Sequence, residues 1–383
     1  MTETGQAVEG ISASLTTSMP EYPKSKITDA QGVYLFSDNH LNMDYNISGT
    51  SVENYLNGVS TLDLVMIQRH ILGVESLDSP YKMIAADINA DNRINGQDLV
   101  ELRKLILGIY SELPQNESWI TIDADQSLDV ASPWNYSKTR VLQDLNDSMM
   151  DEDFIGVKIG DVNGDVIANS LLNTEVPQAN LGLQFDNIYL LEGESSEVNF
   201  RLAADVSGFQ MALDFGELEV TEVTGLDEGA YTLIDNVLSV SHALKSAAGS
   251  DLFSVNLSAN KSAELINNLT IGSQLNGEAY GQDGDVIYRL NLSSNSNEKL
   301  VLHPNHPNPF SDYTFVKYEL LKDTEVTITL YDIMGSLLRE IPTEGIAGMN
   351  MVKINREDLE SGLILCKVEA DGQALVKEMV IVD

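Results

Sequence analysis

Residues 87–98 have the sequence DINADNRINGQD, and the chain continues from Asp98 into DLVELRKLILG, which ends at Gly108. Oxygen-bearing residues recur here at the spacing of a 12-residue calcium loop, whose ligands lie at positions 1, 3, 5, 7, 9 and 12. These positions are held by Asp87, Asn89, Asp91, the backbone carbonyl of Arg93, Asn95 and Asp98. Because alternate residues of a tight turn point towards one centre, the spacing predicts a calcium site that leads into a helix.

The helix after this loop has a counterpart earlier in the chain. DLVMIQRHILG at 63–73 and DLVELRKLILG at 98–108 share Asp, Leu, Val, Ile, Leu and Gly at matching positions. Both segments have apolar residues at helical spacing, and Gly73 and Gly108 stand where a left-handed residue ends a helix. The repeat predicts a pair of helices.

The loop before the first helix is incomplete. Aligned on Asp63, its first and fifth positions are Val52 and Leu56. The residues that remain as ligands are Asn54, the Gly58 carbonyl and Asp63. A further motif, KIGDVNGD at 158–165, repeats the Asp-x-Asn-x-Asp spacing through Asp161, Asn163 and Asp165. No helical pattern follows it, and its twelfth position is Leu172.

These two incomplete motifs complement each other, because each lacks the ligands that the other supplies. We therefore predict one composite calcium site, in which GDVNGD folds back to Asp63 and Trp119 or Trp134 holds the intervening segment against the helices. The loop closure is tolerated because its entropic cost grows slowly with length. The alternatives are that GDVNGD binds its own ion through nearby carbonyls, or binds none.

The charge of the chain points to cations as partners. It has 22 basic and 59 acidic side chains, a formal net charge of -37. This balance excludes a nucleic acid or an anionic membrane surface as a natural partner and favours hard cations such as calcium. No apolar run approaches the roughly 20 residues of a membrane span. The single cysteine, Cys366, lies in the apolar run LILCKV and is expected to be a buried structural thiol.

The remaining sequence predicts a mainly β protein with several β-sandwich domains and one small helical module. Residues 1–50 alternate apolar and polar residues as in part of a sandwich, so we expect the chain to begin inside a domain. Residues 51–178 combine the helical pair, the calcium loops and a long irregular loop. Residues 179–293 have the short, regularly spaced strands of a second sandwich, and a polar linker at 293–299 precedes a third β domain at 300–383.

Several of these segments resemble known families. A calcium loop followed by DLxxLRKLILG resembles a dockerin, the paired-helix module that docks onto cohesins, and its loop ends with Asp as a dockerin loop does. The strand ITDAQGVYLFSD within 1–50 resembles prealbumin-like or collagen-binding-B-type modules, and 179–293 resembles a cohesin-type sandwich. The last domain resembles the type A sorting domain of type IX secretion through PNPF (307–310), VTITLYDIMGSLLRE (326–340), LESGLILCKVEADG (359–372) and VKEMVIV (376–382).

Together these resemblances imply a non-catalytic, calcium-stabilised region of a large secreted or cell-surface adhesin of a Bacteroidetes-type cell. Type IX secretion machinery would export it, with cleavage near the linker, and the dockerin-like and cohesin-like modules would pair within one chain. Two alternatives stay open: the tail of a secreted hydrolase or protease whose catalytic domain lies upstream, and a scaffold subunit whose dockerin binds a cohesin in trans. No nucleophile elbow, phosphate loop or dinucleotide fingerprint is present, so we expect no enzyme.

Overall fold

The computed structural model of the protein describes residues 1–51, 54–171, 179–190, 192–261, 263–282, 284, 286–294 and 300–383. The chain forms two compact units, residues 1–294 and residues 295–383. The predicted linker falls largely outside the described residues, and so do Val52 and Leu172. The three domains that the sequence predicts before the linker pack into a single unit.

The two sequence repeats form helices α1 (Thr61–Ile71) and α3 (Gly96–Ile106). Both begin with a capping box, in which an N-cap side chain accepts a backbone N–H and the Asp at N3 accepts the N–H of the N-cap residue. Both end before a glycine with positive φ, +68° at Gly73 and +71° at Gly108. The predicted helical pair is therefore present, with its predicted ends.

A third, shorter helix lies between them. Helix α2 (Pro80–Ala86) begins at Ser79, whose hydroxyl accepts hydrogen bonds from the backbone N–H groups of Tyr81 and Lys82. Serine at the N-cap followed by proline at the first helical position favours a helix start. The sequence therefore contained the signal for this helix.

Segment 111–178 is not the irregular loop that the sequence predicts. It contains strands β4 (Trp119–Asp123), β5 (Thr139–Leu142) and β6 (Phe154–Lys158). β5 pairs with the N-terminal strands in the order β2-β1-β3-β5, while β4 pairs with β6. The N-terminal strands are β1 (Ser12–Thr16), β2 (Lys24–Ile27) and β3 (Tyr45–Thr50). Strands of four or five residues leave little periodicity, and their partners are remote in sequence, so local patterns missed them.

The stretch from 179 to 294 forms a sandwich whose described strands belong mainly to one ten-stranded sheet, which is antiparallel except for one parallel pair within it. Its first strand, β7, runs parallel to its last, β18, from the Ala179–Tyr288 pair to the Phe185–Ser294 pair. Five phenylalanines fill its core: Phe185, Phe200, Phe209, Phe215 and Phe253.

The elements of this sandwich are mostly short strands. In chain order they are β7 (Ala179–Phe185), β8 (Tyr189–Leu190), β9 (Ser195–Leu202), β10 (Gly208–Asp214), β11 (Leu218–Thr224), β12 (Tyr231–Ile234), β13 (Val237–His242), β14 (Asp251–Ala259), β15 (Ala263–Glu264), α4 (Leu265–Asn268), β16 (Thr270–Ile271), β17 (Glu278–Tyr280) and β18 (Ile287–Ser294).

The C-terminal unit is a separate β-sandwich of two sheets, with strand orders β19-β20-β23 and β22-β21-β24-β25. Its strands are β19 (Leu300–Leu302), β20 (Tyr313–Leu320), β21 (Thr324–Asp332), β22 (Leu337–Gly345), β23 (Gly348–Asn355), β24 (Gly362–Ala370) and β25 (Gln373–Ile381). Cys366 on β24 is buried in its core, as predicted, and burial raises the pKa of its thiol to about 12.

The fold class is confirmed: the protein is mainly β, with several sheets and a small helical module. Among the residues that the structure describes, no helix is long and apolar enough to cross a membrane.

Candidate metal centre

The contiguous loop at 87–98 is held by hydrogen bonds from its own backbone to its first carboxylate. Asp87 Oδ1 accepts the N–H of Asp91 at 3.0 Å, and Asp87 Oδ2 accepts that of Asn92 at 2.9 Å. Ala90 and Asn92 have positive φ, which gives the loop its tight curvature. The Asn89 side chain lies within the same turn, where its Oδ1 accepts the N–H of Asp91 at 3.0 Å.

The last residue of this loop, Asp98, joins the loop to helix α3. Its Oδ1 accepts the N–H groups of Ile88 at 2.9 Å and Asn89 at 3.3 Å, and its Oδ2 accepts that of Asn95 at 2.9 Å. Asn95 is the N-cap, where its side chain accepts the N–H of Gln97 at 2.9 Å. One carboxylate therefore fixes both the loop and the helix start.

The electrostatics of this loop fit a cation. Burial is the main cause that raises the pKa of Asp87 to about 6, and it also raises the pKa of Asp98. The charge of Asp91 raises both pKa values further. A carboxylate oxygen that accepts one N–H keeps a second lone pair for a metal. Carboxylate, amide and carbonyl oxygens are the donor set that calcium prefers. The residues present at 87–98 therefore fit calcium.

The motif at 161–165 has a similar hydrogen-bond pattern, although its first carboxylate oxygen accepts from the third residue on and not from the fourth. Asp161 Oδ1 accepts the N–H of Gly164 at 2.7 Å, and Asp161 Oδ2 accepts that of Val166 at 3.2 Å. The Asn163 side chain accepts the N–H of Asp165 at 3.1 Å and donates to Asp165 Oδ2 at 2.9 Å. Asp161, Asn163 and Asp165 thus adopt the turn that Asp87, Asn89 and Asp91 form in the contiguous loop.

The carboxylate that closes the second turn comes from helix α1. Asp63 Oδ1 accepts the N–H groups of Val162 at 2.8 Å and Asn163 at 3.3 Å, and Asp63 Oδ2 accepts that of Ser60 at 2.9 Å. These three bonds correspond to those that Asp98 accepts from Ile88, Asn89 and Asn95. The structure therefore brings Asp63 and the 161–165 motif together, as the sequence predicts.

These carboxylates repel one another inside the protein. The pKa of Asp63 is well above its usual range, mainly because the carboxyl group is buried. The nearby charges of Asp161 and Asp165 raise it further. The pKa of Asp161 is raised to about 7, again mainly by burial and then by Asp165. Clustered, desolvated carboxylates of this kind are relieved by a bound cation.

The other two predicted ligands of the first repeat lie apart from each other. Asn54 is exposed, and its side chain accepts the N–H of Leu56 at 2.9 Å in a local turn. Gly58 has φ +72° and lies against Val166, so closely that a Cβ at Gly58 would be 2.5 Å from the Val166 Cα. Of these two residues, Gly58 is the one that contacts Val166, the residue directly after the 161–165 motif.

Two residues of this cluster are absent from the sequence prediction. Ser60, the N-cap of α1, stands three residues before Asp63, a capping-box spacing that the sequence does show. Lys158 is buried and donates to the Tyr55 carbonyl at 2.9 Å. Burial lowers the pKa of Lys158 to about 8, while the charges of Asp161 and Asp63 act in the opposite direction. Nothing local in the sequence marks a buried lysine.

The tryptophans contact different parts of the unit. Trp134 is partly buried against the core that the helices share with β4 and β6. Trp119 packs in a small cluster with Val8, Ile11, Val166 and Ala168. The predicted contact with the helical core is therefore made by Trp134, whereas Trp119 holds the N-terminal segment and the residues that follow 161–165.

The helices also contact the sandwich within the same unit. At the start of α1, the Thr61 N–H donates to Gln210 Oε1 at 2.7 Å, and the Thr61 and Ser241 hydroxyls are 2.6 Å apart. At the other helix, the Thr232 hydroxyl donates to the carbonyl of Leu107 at 3.5 Å. Both helices of the pair therefore touch the sandwich.

In the part of the chain that is described, no group of three or more His, Cys, Asp or Glu side chains is arranged as a metal site by itself. Both turns described above contain an asparagine side-chain oxygen beside their carboxylates, and main-chain oxygens are predicted at their seventh positions. A calcium ion, which accepts amide and carbonyl oxygens, would have to use them.

Comparison with known families identifies two segments. Residues 56–107 match the dockerin type I domain, and residues 306–382 match the secretion system C-terminal sorting domain. The chain carries a dockerin module and a sorting domain. Dockerin type I domains generally bind calcium, and neither module is catalytic. The sorting domain, of the type IX system, indicates export to the cell surface or the extracellular space.

No curated protein matches the chain in sequence. Dimeric latent PorU from Porphyromonas gingivalis is 12% identical, with 64% of this chain and 22% of that chain covered and a TM-score of 0.22. A β-glucuronidase from Parabacteroides merdae is 13% identical, covering 51% and 28%, with a TM-score of 0.19. A putative β-galactosidase from Bacteroides fragilis is 8% identical, covering 49% and 33%, with a TM-score of 0.18. The chain spans a third or less of these structures, and such low scores support no conclusion about function.

Proposed function

We propose that the chain is a non-catalytic, calcium-stabilised interaction region of a secreted or cell-surface adhesin. In it the dockerin module docks onto the cohesin-like sandwich at 179–294 of the same chain, and the sorting domain directs export through the type IX secretion machinery. The observation that carries this proposal is the buried polar contact between the start of α1 and strands β10 and β13.

The polar groups on both sides of this contact are buried. Thr61 and Ser241 are fully buried, and Gln210 is 3% exposed. Buried polar groups cost free energy unless each has a partner, so such groups meet where two surfaces match. The Thr61 N–H is also one of the backbone donors that a helix start leaves without an intrahelical acceptor, and Gln210 of the sandwich accepts it.

Apolar packing surrounds the polar contact. A Cβ at Gly208 would lie 2.9 Å from Val65 Cγ2, so strand β10 approaches α1 closely only because it has glycine there. Ala212, Ala243 and Leu275 of the sandwich belong to the same core as the helices. The chain itself tethers the two modules, which gives an effective concentration in the millimolar range and favours docking in cis over docking in trans.

Calcium would act in this region as a structural ion. At 87–98 it would be held by oxygens of Asp87, Asn89, Asp91 and Asp98, with contributions from the Arg93 carbonyl and Asn95. It would neutralise carboxylates that the fold brings together. Because the ion binds the folded loop and not the unfolded chain, it would stabilise the module.

The docking is tested by Gln210→Leu, which removes the acceptor of the Thr61 N–H. Gln143→Leu at an exposed position is the matched control. We expect faster amide hydrogen exchange over residues 61–66 in the first variant and no change in the second, because the cost of a buried donor without a partner is about 1–3 kcal/mol. Unchanged exchange over 61–66 in Gln210→Leu would contradict a docked helix.

Light scattering of the full chain separates docking in cis from docking in trans. Docking within one chain predicts a monomer over the whole concentration range. A dimer that forms with increasing concentration would mean that the dockerin module binds the sandwich of another copy, and it would overturn this part of the proposal.

Export is tested in the cell of origin by deleting residues 300–383. The truncated protein is expected to stay inside the cell, because the deletion removes the sorting domain. Undiminished appearance outside the cell would contradict a secretion role for this domain.

A further inference from the structure

The dockerin match begins at residue 56, so it leaves out the first four positions of the 12-residue calcium loop that precedes α1. Residue 56 is a leucine at the position where the fifth ligand of the loop belongs. In the structure, the Asp-x-Asn-x-Asp turn at 161–165 occupies the place of the missing first half. The chain therefore forms the turn of a complete calcium loop from two segments.

We infer that a second calcium ion binds in this split loop and joins the dockerin module, the 161–168 segment and the sandwich. Asp161, Asn163 and Asp165 would supply positions 1, 3 and 5. The Gly58 carbonyl, Ser60 and Asp63 correspond to positions 7, 9 and 12. This inference rests on the proposed function, since it assigns a second ion to the same calcium-stabilised module.

The contiguous loop of the same chain serves as the template for this assignment. Each bond that Asp98 accepts there has an equivalent at Asp63, and the two contacts of the Asn89 side chain with Asp91 have equivalents between Asn163 and Asp165. The first carboxylate differs in one bond: Asp87 Oδ1 accepts the N–H four residues on, whereas Asp161 Oδ1 accepts the N–H three residues on. The Val162 N–H that Asp63 accepts comes from a residue 99 positions later in the chain. The match is therefore produced by tertiary folding and not by a local sequence repeat.

The two halves are held in register by contacts outside the ligand set. The Asn57 side chain donates to the Ile167 carbonyl at 2.9 Å and accepts the Ile167 N–H at 3.1 Å. Beside this pair, Gly58 lies against Val166 with no room for a side chain. These contacts hold the two halves together without using the predicted ligands, which makes ion binding less costly in entropy.

The sandwich approaches the split loop from a third side. Ser60 lies close enough to the buried hydroxyl of Tyr280 on β17 to influence its pKa, and Tyr280 donates to Glu278 at 3.1 Å. Glu278 lies close enough to Asp165 for that charge to raise its pKa, although burial is the larger cause. An ion at this point would therefore act on the contact between the helices and the sandwich.

The charge of the split loop suits a divalent cation. Three carboxylates face the site, and the ammonium group of Lys158 lies close enough to interact with two of them. The three carboxylates outweigh this one positive charge, so the site keeps a net negative charge that attracts Ca²⁺.

Matched variants test the inference through hydrogen exchange measured with calcium chloride and with a chelator. Asp165→Ala alters the fifth position of the split loop, and Asp91→Ala alters the same position of the contiguous loop. In the unmodified chain, calcium at about 100 times its Kd should slow exchange at both loops by up to about a hundredfold. Asp165→Ala should abolish this slowing at 161–168 and 278–280, while Asp91→Ala should abolish it only at 87–98.

The outcomes separate this inference from the proposed function. Calcium-dependent slowing at 87–98 without any at 161–168 in the unmodified chain would overturn the split site and leave a calcium-stabilised module. If calcium slows hydrogen exchange at neither loop, both the split site and the calcium-stabilised module are wrong. Slowing at 161–168 that persists unchanged in Asp165→Ala would show that the ion does not use the split loop. The comparison within the unmodified chain stands even if a variant does not fold.

Discussion

The loops at 87–98 and at 58–63 with 161–165 have the same hydrogen bonds at the closing carboxylate but different chain connectivity. In the first, a single 12-residue stretch contains both the turn and the closing carboxylate. In the second, the closing carboxylate Asp63 accepts an N–H from a residue 99 positions later. The arrangement of oxygens around a calcium site therefore depends on which segments meet in space and not on their order in the chain.

This difference would give the two proposed ions different effects on the fold. An ion in the contiguous loop fixes a local turn and the start of α3, which are already close in sequence. An ion in the split loop closes a long stretch of chain and links three parts of the N-terminal unit. Closing a long loop restricts the unfolded chain more than closing a short one, so losing the split site should loosen more of the structure.

The largest expected effect is that of removing calcium from the whole chain. If both sites bind at calcium concentrations about 100 times Kd, each contributes about 2.7 kcal/mol to the free energy of unfolding. Chelation should therefore lower the stability of the unit 1–294 by about 5 kcal/mol, measured by urea denaturation. The sorting domain has no predicted site, so its own unfolding transition is the internal control. Equal shifts of both transitions would point to a non-specific salt effect.

The second prediction compares two glycines with nearly the same backbone conformation. Gly58 has φ +72° and lies against Val166, whereas Gly73 has φ +68° and nothing within 4 Å of an added Cβ. Gly73→Ala should cost about 1 kcal/mol through left-handed backbone strain alone. Gly58→Ala should cost about 3 kcal/mol, because its Cβ also forces the two halves of the split loop apart.

Urea denaturation of both glycine variants measures this difference. Equal losses of stability would mean that the Gly58–Val166 contact does not hold the split loop together. Calcium titration of Gly58→Ala adds a second readout, since a separated loop should bind the second ion more weakly.

The third and smallest expected effect is that of Lys158→Met. The variant removes a buried positive charge close to Asp161 and Asp63, so the bound cation no longer meets a like charge. Calcium binding at the split site should become about tenfold tighter, equivalent to about 1.4 kcal/mol. Isothermal titration measures it, with Lys138→Met at an exposed ion pair as control. Weaker binding in Lys158→Met would mean that the lysine supports the site instead of opposing the ion.

The sequence predicted those parts of this module whose determinants are close together. The ligand spacing of 87–98, the helical repeat and the terminal glycines all fall within short windows, and both helices are present with the expected ends. The first loop has no ligand at Leu56, and the 161–165 motif has no closing carboxylate of its own. These complementary deficiencies were enough to predict that Asp63 and the second turn come together. That these loops bind calcium stays a prediction.

What the sequence missed depends on contacts between remote segments. The strands at 119–123, 139–142 and 154–158 pair only with each other or with the N-terminal sheet, and their short alternating patterns resemble loop sequence. Lys158 ends one of them and becomes a member of the split site only through tertiary packing. Ser60 was detectable as an N-cap, but its contact with Tyr280 requires the sandwich.

Native mass spectrometry, which counts the calcium ions bound to the folded chain, decides whether the split loop is a calcium site. We expect two ions on the unmodified chain. We expect one ion on Asp91→Ala, held by the split loop, and one on Asp165→Ala, held by the contiguous loop. A single ion on the unmodified chain that is lost in Asp91→Ala and kept in Asp165→Ala would contradict the split site.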